Sequence, residues 1–349
     1  MNVANNGKQS KLKRTLNKLL HARELTSIIF LVLMFAVVGI INSNFLSVSN
    51  LTLSLNSSVV YTIVAIGIAL VIITGEIDVS VGATLGMAAS ISATMVRDGS
   101  PTWLAFSAAI LVGALIGLIN GIGVSILKVP SIIMTLGVNS IVRGLIYVYT
   151  DGKWVENLPF DFKTISQSKL PGTGITLIYF SVIVIAIIVH LFLNRTQRGK
   201  YFAAVGDNEG GATLLGIPVN ATRLSAYVIC GVFSAIGGVL YASRVGFVTP
   251  ISGNGYEMKV IAACVLGGVS MAGGVGTVIG ASIGSLIMAS ISRVLVFIGL
   301  SSDYDNTITG CLLIIIVVFD AVMQRRNAVT ARHERLRART GNVNLGGIK

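Results

Sequence analysis

The sequence predicts an all-α membrane protein, a polytopic bundle of about ten transmembrane helices with glycine-interrupted helices in two related halves. Three observations lead there. Of the 349 residues 53% are hydrophobic and only 11% are charged. A soluble domain carries charge on about a quarter of its residues, so this chain cannot cover a water-facing surface. Apolar runs of about 20 residues, the length that spans a hydrocarbon core as a helix, recur along it. They are continuous rather than alternating, which sets them apart from the strands of a lipid-facing barrel.

The net charge of +12 is concentrated. Six Lys/Arg precede residue 26, seven follow Met323 and four lie in 194–223, out of 26 in all. Such clusters mark the cytoplasmic side, and they leave no basic surface patterned for nucleic acid. The chain divides into a basic cytoplasmic N-terminal segment, 1–25, a transmembrane domain, 26–323, and a basic cytoplasmic tail, 324–349. Apolar segments fall at about 26–42, 57–74, 81–96, 103–126, 130–150, 175–193, 224–245, 257–273, 277–299 and 306–323. Ten crossings place both termini and 194–223 on the cytoplasmic side. The outer segments then hold Asp98, Asp151, Glu156, Asp161, Asp303 and Asp305. The first apolar run follows a basic start like a signal peptide, but "NSNFLS" leads straight into further spans, so a retained helix is expected. Cys230, Cys264 and Cys311 lie in apolar segments and read as small buried hydrophobes.

Two glycine-rich interruptions resemble each other. "GEIDVSVGATLG" ends in Gly82-x-x-x-Gly86, and "GGVSMAGGVGTVIG" ends in Gly276-x-x-x-Gly280. Broken helices at matching points of two halves point to a transport path, with the repeat either parallel or inverted. Gly75, Glu76, Asp78, Ser80 and Gly82 belong to the first break, and Gly273, Gly274 and Gly276 to the second. Asp78 or Ser80 is expected to cap the helix that begins near Val81. Glu76 stays open between an ion site, a backbone contact and a place on a polar route. Asn139 and Arg143 lie one turn apart on one helix face, and Asn120 sits among small residues; all three are polar groups at membrane depth. Trp154 in "TDGKWVENLP" reads as an interface anchor.

The inside segment "NRTQRGKYFAAVGDNEGGATLLGIPVNATR" contains a short amphipathic stretch, in which Leu214, Leu215 and Ile217 form an apolar face suited to docking. The chain carries no P-loop, H-E-x-x-H or nucleophile elbow, so ATP hydrolysis or other catalysis is not expected of it. An ion-coupled secondary transporter of a small polar solute is the rival class, favoured by Glu76 and Asp78 in a broken helix.

Four stretches carry a resemblance. "GEIDVSVG" is similar to G-G-I-D-L-S-V-G, with Glu76 in place of a glycine; "NGIGVSILKVPSIIMTLG" is similar to N-G-…-V-P-x-F-I-x-T-L-G. "VGDNEGGATLLGIPV" and "EMKVIAACVLGGVSMAGGVGTVIGA" follow in the same order. Together they resemble the permease subunits of bacterial ABC importers for ribose, galactosides, xylose and autoinducer-2, over about residues 45–323. Within that family "TDGKWVENLP" and "GYEMKVIAACVLGGVS" are most similar to permeases for autoinducer-2. The resemblance implies a second permease subunit, two ATPase subunits that hold ATP and Mg, and an external substrate-binding protein, with no cofactor on this chain. It implies that Gly206, Asn208, Ala212, Leu214, Leu215, Gly216, Ile217 and Arg223 form the loop that couples to the ATPase. It also adds Glu257, Gly267 and Gly268 to the path candidates, and implies a small neutral hydroxylated substrate.

Overall fold

The computed structural model describes residues 23–322. Most of the basic segment expected at 1–25, and the whole tail expected at 324–349, lie outside the described residues. The described residues form helices joined by short connections, with isolated β-bridges and no strand. In chain order the helices are α1 (Arg23–Ile41), α2 (Val48–Ile73), α3 (Val81–Arg97), α4 (Thr102–Ser125), α5 (Ser131–Thr150) and α6 (Phe160–Gln167). They continue with α7 (Leu177–Arg195), α8 (Gln197–Asp207), α9 (Glu209–Leu214), α10 (Val219–Val245), α11 (Tyr256–Leu266), α12 (Val278–Phe297) and α13 (Ser302–Val322).

Seven of these, α2, α4, α5, α7, α10, α12 and α13, are long and apolar enough to cross a membrane. Each of the other three expected spans also falls on a helix, but a shorter or less apolar one. The eighth is a correction: α11 has 11 residues, about 16 Å at an α-helical rise, roughly half of a hydrocarbon core. Gly268, directly after the C-cap Gly267, takes φ 87° in the left-handed region and ends the helix; Gly273 and Gly274, at φ 83° and 74°, shape the connection that follows.

The core is built around α2. From Ile63 to Ile73 every residue is buried, because α2 is enclosed by α10, α12, α11 and α7. Small residues make the closest crossings. A Cβ on Gly113 would overlap the Gly231 carbonyl, and one on Gly117 would overlap that of Tyr227, so α4 and α10 pack backbone on backbone. α1 packs on α12, and its Ser27 hydroxyl donates to the Leu266 carbonyl at 2.6 Å. By contrast α7 and α13 expose Val184, Ile188, Val318 and Phe319, the surface a lipid-facing helix presents. Cys230 and Cys264 are buried as expected; Cys311 is exposed on this outer face. At the end away from α8, Val155 and Val248 pair as a β-bridge, with Trp154 stacked on Phe247 at 5.8 Å.

Candidate functional site

The first break, Thr74–Ser80, starts where Gly75 takes φ 83° and α2 can no longer continue. The extended residues that follow have their backbone groups paired by other helices. The Ile77 amide donates to Ser131 Oγ at 3.4 Å and the Val79 amide to Thr135 Oγ1 at 3.1 Å, both on α5. The Tyr227 hydroxyl on α10 donates to the Ile77 carbonyl at 3.2 Å. A break in lipid is tolerated where neighbours satisfy it in this way. The expected cap takes a different form. Ser80 occupies the N-cap position of α3 without a side-chain bond to its amides. Asp78 Oδ1 instead accepts from the Ser80 amide at 2.8 Å and the Ser80 hydroxyl at 2.6 Å. This is a turn closed two residues on, which shapes the break before the helix begins. Asn120 on α4 donates to Ser80 Oγ at 2.7 Å, so three buried polar side chains form one chain of bonds.

The two breaks meet. The Gly274 amide donates to the Ile73 carbonyl at 2.9 Å, joining the second break to the end of α2. Gly206, in the last turn of α8, lies against the same carbonyl, which a Cβ there would overlap. A Cβ on Gly273 would come within 2.7 Å of the Gly75 Cα, and one on Gly274 within 2.8 Å of the Asp207 Cα. Glycines from three distant stretches therefore close one junction. Gly267 lies against Gly280 and Gly276 against Val269, so the second break also folds onto α12 and onto itself.

From that junction α9 projects. Asn208 caps it, accepting from the Gly211 amide at 2.9 Å, and Gly216 at φ 75° ends the turn that follows. Leu214 and Leu215 are 91% and 81% exposed. Ile217 departs from the expected face: it packs inward with Ala212, Val205 and Val219. Arg223, on α10, ties α9 to the first break. Its Nε lies 3.2 Å from Glu76 Oε1 and its Nη1 3.0 Å from Glu209 Oε2. The Nε contact is an ion-pair distance without hydrogen-bond alignment. The Arg223 and Glu76 side chains are 11% and 16% exposed. Removing one partner of a pair so withdrawn from water costs about 3–5 kcal/mol.

A further polar set lies along α3. Arg143 Nη1 donates to the Ser252 carbonyl at 2.7 Å, and Glu257 Oε1 accepts from the Gly255 amide at 3.2 Å. A Cβ on Gly82 would overlap the Glu257 carboxylate, and one on Gly86 would sit 3.2 Å from Arg143 Nη1. Asn139 has its amide oxygen buried one turn from Arg143.

A family model described as "Branched-chain amino acid transport system / permease component" matches residues 50–317. The chain belongs to this permease family. It is a permease component and a multi-pass membrane protein. Curated relatives include the autoinducer 2 import system permease protein LsrC of Salmonella typhi, 38% identical over 298 residues, 85% of each chain. The protein of the same name from Enterobacter sp. (strain 638) is 38% identical over 317 residues, 91% of each chain. That of Escherichia coli (strain K12 / DH10B) is 38% identical over 298 residues, 85% of this chain and 86% of its own. No solved structure matches the permease.

Several polar residues of the permease escaped sequence reasoning. Arg244 donates to the Asn56 carbonyl and to Ser57 Oγ. Lys259 and Asp305 pair at 2.6 Å. Ser252 and Gly253, expected in an outer loop, are buried, with Gly253 against α3. The one available signal was the Gly253 and Gly255 spacing in "SGNGY", which permits the tight turn Ser252 needs.

Proposed function

We propose that the chain is one permease subunit of an ATP-driven ABC importer, and that α9 is its coupling element. The observation that carries this is Leu214 and Leu215, an exposed apolar pair at the tip of a short helix that follows directly on the junction of the two breaks and is tied to the first of them through Arg223. In this reading the basic segment 194–223 and both termini face the cytoplasm of a bacterial inner membrane. ATPase subunits holding ATP and Mg seat α9, a second permease subunit of the same or homologous sequence completes the path, and an external binding protein delivers the solute. Glu76, Asp78, Ser80 and Asn120 then belong to the moving wall of the path rather than to an ion site. The names of the relatives support autoinducer-2 as the solute, with ribose or rhamnose in the same chemical class: small, neutral and rich in hydroxyls.

The test is the Leu214→Asp/Leu215→Asp variant in a host that expresses the chain with its neighbouring genes. It should insert normally, lose co-purification with the ATPase and lose uptake of labelled autoinducer-2. Retained association would overturn the assignment of α9. Uptake that persists without ATP but collapses with a protonophore would place the protein among secondary transporters instead.

A further inference from the structure

Resting on that reading, we propose that Arg143, Glu257 and Asn139 form a selecting station that hydrogen-bonds a neutral, hydroxyl-bearing solute as it passes α3. Arg143 and Glu257 face one glycine stripe, Gly82 and Gly86, from α5 and α11. Each spends one polar atom on the protein, on the Ser252 carbonyl and the Gly255 amide respectively. Arg143 Nη2, Glu257 Oε2 and Asn139 Oδ1 are left buried without a hydrogen-bond partner. Glu257 is 8% exposed, so its second oxygen lacks the compensation from water that a surface carboxylate has. Charges kept at membrane depth without closing on a partner mark a route for a ligand.

The bundle contains its own contrast. Lys259 and Asp305 close directly at 2.6 Å, and the Ser292 hydroxyl adds a second bond to the same oxygen at 2.6 Å. That pair joins α11 to α13 by direct contact of the charges, although Asp305 Oδ1 is itself left without a partner. Arg143 and Glu257 stay apart, separated along the stripe by the turn between Gly82 and Gly86.

The free atoms define the ligand. Arg143 Nη2 only donates, while Glu257 Oε2 and Asn139 Oδ1 only accept. A hydroxyl both donates and accepts, so adjacent hydroxyls of one small molecule satisfy all three. A carboxylate prefers both arms of a guanidinium fork, and one arm here is already bound to Ser252. A zwitterionic amino acid therefore fits less well than a neutral polyol. The stripe also places the station next to the first break, because Gly82 follows Ser80 by two residues. A shift of the Asp78–Ser80–Asn120 chain moves the wall against which Glu257 packs.

The experiment uses the complete importer, assembled from the neighbouring genes in proteoliposomes, with labelled autoinducer-2, ribose and leucine as probes. Arg143→Lys, Glu257→Gln and Asn139→Ala are compared with the wild type for uptake, solute-stimulated ATP hydrolysis, assembly and melting temperature. The station requires each variant to lower uptake of the hydroxylated probe about tenfold or more, with stimulation lost in parallel and assembly and melting temperature retained. Unaltered uptake would overturn it. So would a loss of uptake that tracks a loss of assembly or a lowered melting temperature, the mark of a purely structural pair. A wild type that carries leucine and neither hydroxylated probe overturns the substrate class and the function reading with it. A wild type that carries a hydroxylated probe alongside indifferent variants overturns the station alone.

Discussion

Asp78 bonds one residue twice, taking the amide and the hydroxyl of Ser80 at 2.8 and 2.6 Å. Both contacts need an acceptor oxygen rather than a negative charge. Asp78→Asn is therefore expected to fold and transport at a reduced rate. Asp78→Ala strands a buried amide and a buried hydroxyl, at a cost of about 1–3 kcal/mol for each. Melting temperatures in detergent would check this; an Asn variant as damaged as the Ala variant would mean that the charge itself is needed. For Arg223 the order is reversed. Arg223→Gln leaves Glu76 withdrawn from water without its cation, whereas Glu76→Gln leaves Arg223 still paired with Glu209. The first should destabilise by about 3–5 kcal/mol and the second by less. A double-variant cycle reads the coupling directly. None of these partners was legible in the sequence. Glu76 and Asp78 stood out there as carboxylates in an apolar run, but what they meet comes from helices far along the chain.

At the scale of the element, apolar runs located the helices well, because a lipid-spanning segment must be continuous in composition. Ends were harder. Gly273 and Gly274 read as part of the second break, but the expected span runs on to residue 273; Gly268, left-handed directly after the C-cap Gly267, stops α11 at Leu266. The face of α9 was half legible: Leu214 and Leu215 point out, while Ile217, past the turn at Gly216, packs inward. Gly206 joins α8 to both breaks, so Gly206→Ala must force the junction apart at the Ile73 carbonyl. If α9 is the coupling element proposed above, this variant should keep the ATPase bound, since the α9 tip is untouched, and yet lose most uptake. Pull-down and uptake measured on one preparation would check it; loss of both together would place Gly206 in folding alone.

For the whole molecule the α4–α10 crossing is a close contact in which glycines bring backbone to backbone. Gly231→Leu is expected to prevent that approach and give a protein that inserts but melts at a markedly lower temperature. The outer surface, with Val184, Ile188 and Phe319 exposed, should by comparison accept apolar exchanges with little change. Within this frame the ion pair between Glu76 and Arg223 has a consequence for descent. The resembled motif carries glycine where this chain has Glu76. A lineage that acquired the glutamate gained a partner for a cation already facing that spot, and one that lost it would put Arg223 under pressure to change. Positions 76 and 223 should therefore be inherited as a pair, and homologues sorted by one should fall into the same groups when sorted by the other.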